Sequence, residues 1–125
     1  KIMAVIADYV LDKSLEVLDT EADRIDITSQ LATTFTEATS TYSLGNSTSL
    51  AFGAPQNGDS SGRKVTSSII SNASVTATGT ATHFAITDVS ASRLLAAGAL
   101  GTTQSVTSGN VFNLPAFDIT INDPS

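Results

Sequence analysis

His83 is the only histidine of the chain, and it stands in an alternating stretch between Thr82 and Phe84. A catalytic histidine works with a nucleophile and with an acid that orients its ring. Although Ser and Thr are many, we expect neither a Gly-x-Ser-x-Gly elbow nor a Ser-x-x-Lys motif among them. The sequence therefore favours a structural or interface role for this histidine, and it predicts no catalytic residue.

Metal and cofactor sites are not expected either. A zinc site needs three or four ligands, and the chain has one His and no Cys. Segment 57–62, with the sequence NGDSSG, resembles a calcium loop superficially but lacks the repeated acidic spacing and the closing Glu. The scattered Gly residues form neither a phosphate loop nor a dinucleotide fingerprint. Glycoside hydrolysis needs two neighbouring carboxylates, and the acids after residue 26 are widely separated: Glu37, Asp59, Asp88, Asp118 and Asp123.

The chain is acidic and poor in charge. Its net charge is −6, so phosphate backbones are repelled and no nucleic-acid partner is expected. No apolar run approaches the roughly 18 residues of a membrane helix, so no membrane partner is expected. Charged residues make up only 14% of the chain, whereas Ser and Thr exceed a quarter. This composition suits packing against other proteins, because little charge must be desolvated.

Segment 1–23 is predicted to form an N-terminal amphipathic helix. Apolar residues recur at three- and four-residue spacing, and seven of the twelve acids fall within the first 26 residues. Asp8 interrupts the apolar opening of the chain, so we interpret this opening as mature protein and not as a signal peptide. The helix either caps a sheet or presents an acidic docking face. The predicted apolar face comprises Val10, Leu11, Leu15, Leu18 and Ala22, and the acidic face comprises Asp12, Glu16 and Asp19.

Segment 24–62 is predicted to hold a first strand followed by a loop-rich arm. Residues 24–28 alternate, which places Ile25 and Ile27 on the inward face. From residue 29 to 62 turn-forming residues dominate, with a short strand expected at 50–52. Long irregular segments in small domains are often functional, so this arm either lies extended on a neighbouring subunit or forms an ordinary surface loop.

Segment 63–125 is predicted to be a β-meander without further helix. One strand is expected at 63–70, with Val65 and Ile69 facing inward. Another is expected from Arg93 to Ala99, and a last one from 111 to 121 is broken at Pro115. Turn-forming residues mark the connections at 88–92, 101–104 and 108–110.

These patterns predict a single domain over residues 1–125. Short strands separated by regular turns are typical of an antiparallel β-sandwich, jelly-roll-like or immunoglobulin-like, here with an N-terminal amphipathic α-helix. The expected core residues are Phe52, Phe84, Phe112, Leu114, Phe117 and Ile119.

The second half resembles small virion proteins of tailed bacteriophages. The stretch ATHFAITD at 81–88 is followed by LLAAGAL at 94–100, SVTSGN at 105–110 and FDITI at 117–121. Upstream, TEATSTYSLG at 36–45 and GRKV at 62–65 resemble the same group, so the likeness covers about the last hundred residues. The resemblance implies a β-sandwich virion component and carries over no catalytic residue.

Within that group the expected role is a non-enzymatic capsid decoration or cement protein. It would bind the major capsid protein on the capsid exterior, as a homo-oligomer assembled in the host cytoplasm. The alternative is a tail-tip, fibre-associated or neck protein involved in host attachment. A bacterial surface or pilus-like adhesion domain is a third interpretation. The expected contact surfaces are the N-terminal segment and the arm at 29–62.

Overall fold

The computed structural model describes residues 6–122 of the protein, and β-strands dominate them. The helix and strands are α1 Asp8–Glu21, β1 Arg24–Thr28, a π-helical turn Glu37–Thr41, β2 Ser43–Ser47, β3 Gln56–Asn57, β4 Arg63–Thr66, β5 Ile70–Val75, β6 Gly79–Asp88, β7 Arg93–Val106, β8 Val111–Leu114 and β9 Asp118–Ile121.

The strands form two antiparallel sheets. The six-stranded sheet has the order β7-β6-β1-β2-β5-β8 and curls into a half-barrel, whereas the second sheet has the order β3-β4-β9. The mainly β, sandwich-like fold with an N-terminal helix is therefore confirmed. The order of strands after residue 62 differs from the predicted meander, because β5 pairs with β2 and β8 and not with its neighbours in sequence.

The main hydrophobic core is shared by the helix and both sheets. Ile25 and Ile27 point into it from β1, as predicted, and are 0% and 1% exposed. Their register partners on β6 are Ile86 and Phe84, which share the same face of the sheet. All six expected core residues belong to this core, either buried or partly buried at its boundary.

Helix α1 buries a narrower face than the sequence predicts. Leu11, Leu15 and Leu18 are buried, but Val10 is 52% exposed. The helix ends at Glu21, because the backbone of the next residue, Ala22, is extended. The N–H of Asp23 then donates to the carbonyl of Thr87 on β6.

The predicted strand at 63–70 is divided in the structure. β4 ends at Thr66, and β5 begins at Ile70 in the other sheet. The inward assignment of Ile69 is wrong, since Ile69 is 67% exposed and Ile70 is fully buried. The change of sheet between β4 and β5 shifts the alternation by one residue.

β7 is longer than predicted. The expected turn at 101–104 lies inside the strand, where a bulge replaces a reversal of the chain. Ala99 pairs with His83 and Gln104 with Ala81, so residues 100–103 have only Thr82 opposite them. Bulges bend the strand that contains them, and here the bend contributes to the curling of the sheet.

The segment 29–42 is not an extended arm. It folds back over the outer face of β1 and β6 and contains the π-helical turn, a departure from the expectation of no helix after the first. Ala32 and Ala38 of this segment are buried with Ala85 of β6, forming a second, smaller core. Small side chains allow the segment to lie close to the sheet.

Pro115 marks another change of sheet. Phe112 and Leu114 of β8 are buried, and after Pro115 the chain enters β9 of the three-stranded sheet. Proline lacks the N–H that would continue the β8 ladder, so the predicted break at this position is confirmed.

Candidate contact surfaces

Three of the five acids of the helix form ion pairs with cations of the same chain: Asp12, Glu16 and Glu21. Arg63 of β4 donates from Nε to Asp12 Oδ1 at 2.7 Å and from Nη2 to Asp12 Oδ2 at 3.3 Å. The hydrogen bonds to Asp12 raise the pKa of Arg63 above its ordinary value. This bidentate pair fastens the helix to the three-stranded sheet.

A second ion pair fastens the end of the helix to the other sheet. Arg93 Nη2 donates to Glu21 Oε1 at 2.7 Å and to Asp88 Oδ2 at 3.2 Å. Asp88 also accepts from Ser90 Oγ at 2.7 Å, and that hydrogen bond, followed by the contact with Arg93, lowers the pKa of Asp88. The expected acidic face of the helix is therefore partly neutralised inside the chain.

The solvent side of the helix carries an apolar stripe, which we call the helix outer face. It consists of Ile6, Tyr9, Val10 and Val17, whose exposed fractions are 37%, 71%, 52% and 36%. Val10 and Val17 are seven positions apart, two helical turns, so they lie on the same side of the helix, and Ile6 precedes its first turn. Lys13 Nζ lies 5.4 Å from the centre of the Tyr9 ring.

A polar cleft of about 230 Å³ lies across the ends of β2 and β5. Its lining is almost entirely hydroxyl and amide: Asn46, Ser47, Thr48, Ser49, Asn72 and Ser74. Asn72 adopts a positive φ of 54°, and its N–H donates to Asn113 Oδ1 at 2.9 Å. Such a surface can exchange hydrogen bonds with a polar ligand or with a partner's backbone.

An apolar groove follows the open side of the half-barrel, between β7 and β8, the two outermost strands of the six-stranded sheet in the described part of the chain. One cavity of about 80 Å³ lies beside Phe84 and Phe117, whose ring centres are 4.9 Å apart. A neighbouring cavity of about 220 Å³ shares Leu100, Leu114 and Pro115 with it. Gln104 Nε2 reaches the carbonyl of Asn113 across this gap at 3.5 Å.

Two short serine motifs do occur, contrary to the expectation from the sequence. Gly58–Gly62 matches the Gly-x-Ser-x-Gly pattern, and Ser61 and Lys64 match Ser-x-x-Lys. The first lies in the tight turn between β3 and β4, closed by the Gly58 N–H and the Gly62 carbonyl at 3.0 Å, and not in a strand-to-helix elbow. The pattern here is that of a hairpin turn, as expected for 57–62.

Lys64 is held as a cation by two carboxylates. Its Nζ lies 2.8 Å from Asp59 Oδ1 and 3.0 Å from Asp118 Oδ2, and these hydrogen bonds raise its pKa. A base that activates a serine needs a lowered lysine pKa, so the Ser61 motif lacks its base. His83 lies on the face of β6 opposite Phe84, with Nδ1 2.7 Å from Thr82 Oγ1.

Within residues 6–122 no three His, Asp or Glu side chains come together as a metal site would require. In the same part of the chain, no helix is long and apolar enough to span a membrane.

The two surfaces expected from the sequence are placed differently: the N-terminal segment presents the helix outer face, whereas half of the 29–62 segment is packed on the sheet. Comparison of the chain with protein-family models, curated proteins and solved structures found no match.

Proposed function

We propose that this chain is a non-enzymatic structural protein of a tailed-phage particle, a decoration protein that binds the major capsid protein on the outside of the shell. The observation that carries the proposal is the helix outer face. Tyr9, Val10 and Val17 are apolar and exposed on a helix whose other side is fully packed. Apolar and aromatic side chains contribute most of the affinity in protein interfaces.

The anchoring of the helix supports the same role. Asp12 pairs with Arg63 of one sheet, and Glu21 pairs with Arg93 of the other. A helix fastened to both sheets needs little further ordering when its outer face binds, which favours affinity. A clamp that resists expansion of a shell benefits from such rigidity.

The polar cleft supports a second candidate, a tail-tip, fibre-associated or neck protein involved in host attachment. Asn46, Asn72 and Ser74 offer amides and hydroxyls of the kind that hydrogen-bond sugar hydroxyls. Glycan-binding surfaces usually add aromatic rings, and the cleft contains none. The decoration role is therefore the first candidate.

Copy number separates the two roles. Particles that carry this protein would be purified, and its amount would be measured by quantitative mass spectrometry against the major capsid protein. A decoration protein is expected in amounts comparable to the capsid protein. A small number of copies per particle would contradict decoration and support the tail or neck position.

Binding to shells tests the helix outer face directly. The double substitution Tyr9→Ser with Val10→Ser should weaken co-sedimentation with shells depleted of this protein by about tenfold or more, a loss of about 1.4 kcal/mol. Val89→Ser, at a residue 42% exposed in the β6–β7 turn, is the matched control. Equal binding by the double variant and the control would overturn the proposed contact.

Salt dependence gives a further criterion. Asp12, Glu16 and Glu21 already pair with cations of the chain, so binding through the helix outer face should change little as salt rises. Release by moderate salt would instead indicate an acidic docking surface.

A further inference from the structure

The edge strands of the two sheets differ in how well they are protected against pairing with another chain. Among the described residues, β3 has two residues, and β8 and β9 have four each, with Pro115 directly after β8 and Asp118 in β9. Short edges, prolines and charges are the features that keep sheet edges from pairing with other chains. β7 is longer, with 14 residues, and carries a charge only at Arg93. Along 94–100 it has no proline and no charge, and its one irregularity there is a bulge at Leu95.

The sequence of β7 is that of an interior strand. Residues 94–100 read LLAAGAL, apolar on both faces. Leu94 and Ala97 pack against the small core under the 29–42 segment, whereas Leu95 and Leu100 pack against the main core. Yet none of these residues is buried, because β7 has a described neighbour on one side only. Apolar runs of this kind belong to strands covered on both faces and paired on both edges.

The charge distribution favours a second copy of the chain as the partner. The protein carries a net charge of −6, so two copies repel each other over most orientations. Residues 94–117 contain no charged side chain, so contact along β7 brings no like charges together. A different partner protein, with a basic surface complementary to this acidic chain, would instead be expected to contact the acidic residues.

We propose that two copies of the chain associate through β7, antiparallel and related by a two-fold axis close to Ala97. Antiparallel pairing of identical strands is self-complementary, since each strand supplies the donors and acceptors that the other lacks. The bulges at Leu95 and at 100–103 bound the regular part of β7, which centres the pairing on 96–99. The two Arg93 side chains then lie about 27 Å apart, at the rise of a β-strand, and are screened from each other.

This pairing is independent of the particle to which the protein binds. It joins the two six-stranded sheets edge to edge and uses none of the residues of the helix outer face. It also identifies which surface would form the homo-oligomer expected from the sequence.

Sedimentation equilibrium of the full chain over the micromolar range tests the pairing. We expect a monomer–dimer equilibrium that Ala99→Lys weakens at least tenfold. Ala99 is exposed, so the monomer should accept the lysine, and circular dichroism checks that it does. Ser71→Lys, which adds the same charge at an exposed position on the interior strand β5, should leave the equilibrium unchanged.

Cysteine cross-linking locates the axis. The chain has no cysteine, so a single one can be introduced without competing thiols. Residues paired across an antiparallel ladder lie about 4.5–5.5 Å apart between Cα atoms, within the range of a disulfide. Ala97→Cys should therefore form a disulfide-linked dimer faster than Ser71→Cys. A monomer at every concentration, irregular aggregates in place of a dimer, or equal effects at Ala99 and Ser71 would each overturn the proposal.

Discussion

Arg24 donates two hydrogen bonds to the carboxylate of Asp26, which lies two residues later on the same strand. Arg24 Nε lies 2.7 Å from Asp26 Oδ1, and Nη2 lies 2.8 Å from Oδ2. Asp26 is fully buried under the 29–42 segment and also accepts from Ser43 Oγ. These contacts raise the pKa of Arg24 above its ordinary value. Arg24 and Asp26 thus form a polar pair beneath the smaller hydrophobic core of Ala32, Ala38 and Ala85.

Removing Arg24 should strongly destabilise the protein. Arg24→Met leaves a buried carboxylate without its cation, and breaking such a pair costs about 3 kcal/mol or more. Lys13→Met, in the exposed pair with Glu16, should cost less than about 1 kcal/mol. The free energy of unfolding in urea measures both. Similar losses for the two variants would show that the Arg24 pair contributes little.

Gly62 is the glycine most constrained by its backbone. Its φ is +68°, and a Cβ at this position would lie 1.8 Å from the carbonyl oxygen of Ile121. Gly62→Ala should therefore cost more than about 2 kcal/mol in unfolding free energy. Gly101→Ala is the matched control, because no atom lies within 4 Å of the Cβ that it would add. If Gly62→Ala did not lower the unfolding free energy, the end of the β4–β9 pair would have to shift at no cost to make room for the methyl group.

Local patterns predicted the elements whose burial follows a simple period. Ile25 and Ile27 alternate with polar residues, and Leu11, Leu15 and Leu18 recur at helical spacing, so each face could be assigned from the residues alone. Pro115 could be recognised as a break because proline cannot donate to the ladder.

Features that depend on pairing between distant strands could not be predicted in this way. The polar cleft exists because β2 pairs with β5, and nothing in either segment specifies that partner. Ile69 was placed inward because the alternation was continued across a change of sheet. Gly101 suggested a turn, whereas the same residues form a bulge within β7. Glycine is compatible with both, and only the length of the partner strand decides between them.

Acid should destabilise the protein below about pH 4, the ordinary range of carboxyl pKa values. The pKa of Glu37 is lowered by the backbone N–H of Thr33, that of Asp88 by Ser90, and that of Asp118 by Thr66. A carboxyl with a lowered folded pKa contributes stability above its unfolded pKa and loses it as pH falls through the folded value. The urea concentration at which half of the protein is unfolded should therefore be constant above about pH 4 and should decrease as the pH falls below it.

The Asp118 site allows that pH dependence to be assigned to one group. Thr66 Oγ1 donates to Asp118 Oδ1 at 2.7 Å, so Thr66→Val should move the pKa of Asp118 back toward its ordinary value. Carboxyl chemical shifts in an NMR titration report that pKa directly. Asp88, which Thr66 does not contact, is the internal control. An unchanged Asp118 titration in the variant would assign the lowering to Lys64 alone.

Thr87 and Thr28 can be compared to measure what a buried hydroxyl costs when it lacks a hydrogen-bond partner. Both are fully buried on the neighbouring strands β6 and β1. Thr28 Oγ1 donates to the carbonyl of Gln30 at 2.8 Å, whereas Thr87 Oγ1 has no hydrogen-bond partner among the described residues. A buried hydroxyl without a partner keeps its desolvation penalty, and replacing it with a methyl group removes that penalty.

Thr87→Val should therefore leave the unfolding free energy unchanged or raise it by about 1 kcal/mol, while Thr28→Val should lower it by about the same amount. Valine keeps the branched shape of threonine, so packing changes little in either variant. Urea unfolding of the two proteins under identical conditions gives the comparison. A loss at Thr87 as large as that at Thr28 would show that its hydroxyl does bind a partner, such as an ordered water between the strands.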